Sequence, residues 1–73
     1  NILPRVQSVY RWQGKVESAS EIPLFFKSTA ANYPALETRI RELHPYELPE
    51  IIALPISHGL PAYLNWVAAE TTQ

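Results

Sequence analysis

Apolar and polar residues change rhythm several times along this chain, and each change predicts an element. From Val6 to Trp12 they alternate, with Val6, Ser8, Tyr10 and Trp12 on one face and Gln7, Val9 and Arg11 on the other. The aromatic and β-branched content favours a strand. Gln13-Gly14-Lys15 reads as a short turn. Val16 to Lys27 then returns, with a polar middle at Ser18-Ala19-Ser20-Glu21 and an apolar end at Leu24-Phe25-Phe26, so the two arms predict a long hairpin. Pro23 has no N–H to give a ladder, which predicts an edge, a bulge or the start of an inner segment, and an irregular arm around Ser18 to Pro23.

After the loop Ser28-Thr29-Ala30-Ala31-Asn32, the side chain of Asn32 is placed to cap a helix with Pro34 in its first turn. Tyr33, Leu36, Ile40 and Leu43 recur at helical spacing, and Glu37 with Arg41 offers an i,i+4 pair. Pro45 disfavours helical geometry at His44 and ends the helix there. Ile51-Ile52-Ala53-Leu54-Pro55-Ile56 is a short apolar run with β-branched content, which predicts an interior strand. Ser57-His58-Gly59 turns the chain, and Leu60, Tyr63, Leu64, Val67 and Ala68 make the stripe of a second helix, with Asn65 and Glu70 outside.

The order ββαβα predicts an α+β sandwich whose helices cover one sheet face. It matches the latter part of the split-βαβ, ferredoxin-like plan, without that plan's leading strand and helix. The apolar start Asn1-Ile2-Leu3-Pro4, without Met, agrees with a single domain over residues 1–73 that is incomplete at its N-terminus.

Length and composition narrow the reading. A domain of 73 residues buries only about 60% of the surface of its unfolded chain. With no Cys there is neither a disulfide nor a Cys-based zinc site, and oligomerisation is the remaining support. Six Lys plus Arg against seven acids leave a net charge of -1 and no basic stripe, which speaks against a nucleic-acid partner. All seven acids are Glu, which removes the usual ligands of a calcium loop. No apolar run approaches the roughly 20 residues of a membrane span. The lack of Cys leaves the compartment open.

Candidate chemistry gathers at His44-Pro45-Tyr46-Glu47-Leu48-Pro49-Glu50, a run that two prolines make stiff. His44 and Glu47 are candidate metal ligands, since neutral imidazole suits copper or zinc and a nearby carboxylate can bind or orient. The alternative has His44 closing the helix C-terminus, Tyr46 packing, and Glu47 paired with a cation such as Lys27. Lys27, after Phe25-Phe26, is either an anion-binding group of a small-ligand cleft with Tyr46 and Glu47 or the partner of Glu47 in an ion pair. Tyr10, Arg11 and Trp12 read as interface anchors rather than a binding face. His58 reads as a solvated turn residue. Ser28 and Thr29 lack the relay or the glycine-rich loop that nucleophilic or nucleotide chemistry needs, so no catalytic residue is assigned and no enzyme is expected.

Tyr10-Arg11-Trp12-Gln13-Gly14, His44-Pro45-Tyr46-Glu47, Pro49-Glu50-Ile51-Ile52-Ala53-Leu54-Pro55-Ile56 and Tyr63-Leu64-Asn65-Trp66, in this order, resemble the CutA divalent-cation tolerance proteins over nearly the whole chain. The resemblance implies a ferredoxin-like domain in a tight homotrimer whose long hairpins extend neighbouring sheets. It also implies a role in the response to metal ions, with no required cofactor and weak binding of copper or another divalent cation at clefts between subunits, in a cytoplasmic protein. The family's first strand and helix, and a Cys that commonly precedes the Asn-Ile pair and is associated with copper binding in some members, do not appear in this chain. Ser28, Phe25-Phe26 and Pro23 depart from the family's usual residues in ways that bear on packing. The alternative role is a trimeric structural or protein-interaction scaffold.

Overall fold

The computed structural model describes residues 1–72. Strands β1 (Val6–Trp12) and β2 (Lys15–Glu21) form an antiparallel hairpin, followed by a 3₁₀ turn (Ala30–Asn32) and helices α1 (Tyr33–Leu43) and α2 (Pro61–Glu70). The register runs from Val6 opposite Glu21 to Trp12 opposite Lys15. Lys15 therefore belongs to the strand, and the turn is the two residues Gln13 and Gly14. Both have positive φ, 51° and 81°, the signature of a type I′ turn, whose twist matches that of the flanking strands.

The second arm is regular through Glu21, so the irregularity expected from Ser18 onward is confined to Ile22 and Pro23. Pairing resumes as an isolated bridge between Ile2 and Leu24. The Leu3 N–H donates to the Pro23 carbonyl at 3.0 Å and the Phe25 N–H to that of Asn1 at 2.9 Å. Pro23 thus takes part only through its carbonyl, as its missing N–H requires.

Helix α1 ends at Leu43 as Pro45 dictates, with His44 already extended at φ −78°, ψ 135°. Its start differs from expectation. Thr29 Oγ1 accepts the Asn32 N–H at 3.3 Å, while the Asn32 side chain donates to the Thr71 carbonyl at 2.7 Å and so ties the end of α2 to the start of α1. The 3₁₀ turn ahead of α1 moves the cap three residues upstream. Glu37 faces Tyr33, not Arg41, and the ion pair of α1 is Arg39–Glu42 at 3.0 Å.

Ile51–Ile56 is the main correction. It carries no strand and no backbone hydrogen bond to another segment among the described residues. A strand exists only as part of a ladder, and this run has no partner there. Neither helix packs closely on the hairpin, so the chain is α+β without the covered sheet face that the element order predicts. Val67 is the one buried apolar residue described. The accessible surface is 6739 Å², against about 4,600 Å² for a compact protein of this mass. The radius of gyration, 15.1 Å, likewise exceeds the roughly 11 Å of a compact domain of this length. Among the described residues no helix is long and apolar enough to cross a membrane.

Candidate functional site

The run from His44 to Glu50 leaves α1 and crosses toward the hairpin, and its first three residues are locked together. The Tyr46 N–H donates to His44 Nδ1 at 3.1 Å. The two rings meet edge to face with centroids 4.8 Å apart, a favourable aromatic geometry. Pro45, between them, fixes one of the backbone torsions that closes this turn.

The Tyr46 phenol lies beside Glu21 and near Tyr10. In the hairpin register those two residues point to the same face, Tyr10 opposite Glu17 and Glu21 opposite Val6. The Glu21 charge raises the Tyr46 pKa above its ordinary value, with partial desolvation, hydrogen bonding to Glu21 and the Tyr10 phenol adding to it. A neutral phenol beside a carboxylate is a donor facing an acceptor, whereas a phenolate there would be a second negative charge. Tyr10 and Glu21 escape a reading of the sequence, because they lie far from Tyr46 along the chain and only the hairpin register puts them on one face.

Thr38, Arg41, Glu42, Tyr46, Glu47 and Pro49 line an open cleft of ≈ 340 Å³ between the outer face of α1 and the run. Of the residues singled out from the sequence, the cleft unites Tyr46 and Glu47. His44, bonded to the Tyr46 N–H, and Lys27 both lie outside the lining. Lys27 and Glu47 make no ion pair, and the salt bridge among the described residues is Arg39–Glu42. His58 is exposed, with Nδ1 3.2 Å from Ser57 Oγ.

Arg41 presents donors and Glu47 an acceptor to the cleft, whereas the Thr38 hydroxyl already donates to the Pro34 carbonyl at 3.0 Å and the Tyr46 phenol faces Glu21. His44 and Glu47 are donor types that copper and zinc accept, three positions apart on one stiff run. Among the described residues no three His, Cys, Asp or Glu converge. The described residues therefore do not by themselves supply the three or four ligands of a tight metal site.

The α+β arrangement recurs in solved structures. It superposes on the divalent cation tolerance protein of Thermus thermophilus with a TM-score of 0.95 at 46% identity, covering 99% of this chain and 70% of that one. A PII-like protein CutA from Nostoc, in apo form, gives a TM-score of 0.91 at 38% identity over the same shares. The fold is thus that of the PII-like CutA proteins. Residues 1–70 match the model of the CutA1 divalent ion tolerance protein family, and the chain belongs to that family. Among curated relatives, Protein CutA of Mus musculus is 45% identical over 67 residues, and the Divalent-cation tolerance protein CutA of Thermus thermophilus is 46% identical over 71. The matched region spans 38% of the mouse protein and 69% of the bacterial one.

Proposed function

We propose that the chain acts as a non-catalytic binding module of divalent-cation tolerance, assembled as a homotrimer in the cytoplasm. Copper or another divalent cation, or a small polar ligand, binds weakly at clefts between subunits. The match of residues 1–70 to the CutA1 family carries this reading. Tyr46 and Glu47, which are among the residues lining the cleft beside α1, support this reading as its ligand-facing groups. Lys27 joins them from a neighbouring part of the assembly, and His44 ligates with Glu47 once it has released the Tyr46 N–H.

Assembly is supported by the surface. Ile52 is 72% exposed, Leu54 80% and Phe26 58%, and large apolar side chains left uncovered in this number favour an interface. The excess of the 6739 Å² surface over a compact protein of this mass is about 2,100 Å², within the range of obligate interfaces.

Calorimetric titration of the metal-free protein with Cu(II) and Zn(II) tests the binding reading. Saturable heat is expected, weakened roughly tenfold by Glu47→Gln as a lost ligand or orienting group would require. No heat, or heat indifferent to Glu47, rejects metal binding at this cleft. A trimeric scaffold that works through protein contacts would then remain.

A further inference from the structure

His44 has an occupation that its metal-ligand chemistry conceals. A backbone N–H can only donate, so His44 Nδ1, 3.1 Å from the Tyr46 nitrogen, must be an unprotonated acceptor. A neutral imidazole carries one proton, which places it on Nε2. The pattern, a side-chain acceptor taking the N–H two residues on with Pro between, is that of an Asx turn made by an imidazole. Tyr46, held in this way, sets its ring edge to face against His44 and its phenol beside Glu21.

We infer that His44 is the positioning residue of the cleft: by accepting the Tyr46 N–H it holds the phenol against the Tyr10 and Glu21 face of the hairpin, and it cannot do so while ligating a cation. The exclusion follows from the proton count. A cation at Nδ1 takes the lone pair that Tyr46 uses. A cation at Nε2 moves the ring proton to Nδ1, where it confronts the Tyr46 N–H donor to donor. The inference rests on the proposed cleft for its functional meaning, and cation binding there would release Tyr46.

Nuclear magnetic resonance of the full chain tests it. In the metal-free protein the His44 ring is expected with its proton on Nε2, and the Tyr46 amide exchanges slowly. His44→Ala speeds that exchange roughly fivefold, as loss of one hydrogen bond would, and removes the Overhauser contact between the Tyr46 ring and the Glu21 side chain. His44→Asn, whose carbonyl can accept the same N–H, restores both. A proton found on Nδ1, or Asn and Ala variants that behave alike, overturns the positioning role. Saturation with Zn(II) is expected to bring Tyr46 exchange to the His44→Ala level, and zinc held by His44 with the Tyr46 amide unchanged overturns the exclusion. Failure of the calorimetric test removes the proposed metal binding, whereas the variant comparison judges the positioning role by itself.

Discussion

The hairpin and the Ile51–Ile56 segment both read as strands in the sequence and stand in opposite states. Seven facing pairs join β1 to β2, closed by a turn whose two residues sit at φ 51° and 81°. Ile51–Ile56 has no ladder among the described residues, and Ile52, Leu54 and Ile56 are 72%, 80% and 68% exposed. A hairpin needs only its own turn to bring its strands together, so local chemistry suffices. An apolar run without a neighbouring strand needs chain from outside itself, and its exposed side chains mark what remains to be covered.

The sharpest way to break this contrast is to charge the exposed run. Ile52→Lys with Leu54→Lys is expected to weaken assembly at least about a hundredfold, since each buried, unpaired ammonium costs several kcal/mol; sedimentation reads the effect. Next in size is Gly14→Val. A Cβ there meets nothing within 4 Å, but φ is +81°, so the backbone alone sets a cost of about 1–2 kcal/mol, measured by denaturant unfolding. Asn32→Ala removes the 2.7 Å bond to the Thr71 carbonyl and should cost about 1 kcal/mol, with fraying at the end of α2 visible by amide exchange.

The smallest effect is electrostatic and far from the contested segment. The hydrogen bond to Glu37, with desolvation and the Glu37 charge, raises the Tyr33 pKa above 10.0. The stability this contributes is full below the unfolded value and is lost as pH rises through the higher folded one. Glu37→Gln should lower the Tyr33 midpoint toward 10.0, followed by ultraviolet titration.

Much of this architecture is legible in the residues because it is local. The alternation from Val6 to Trp12 returns as β1 with the same ends, and Pro45 stops α1 at Leu43. The helical spacing of Tyr33, Leu36 and Ile40 places them on the half-buried side of α1. Where a choice depends on distant chain, the residues mislead. Asn32 is a good cap by type, but Thr29 takes that role and Asn32 reaches across to Thr71. Ile51–Ile56 has strand-like composition, yet pairing is a property of two segments and composition describes one. In the cleft, Tyr46 and Glu47 come together as neighbours in sequence. Glu21, the strongest influence on Tyr46, sits in the polar middle of the second arm, and only the hairpin register puts it on the face of Tyr10.

Sedimentation equilibrium at micromolar concentration shows whether copies of the chain cover the exposed apolar surface. A single species of three times the 8.3 kDa chain mass is expected. A folded monomer of that chain mass would contradict it.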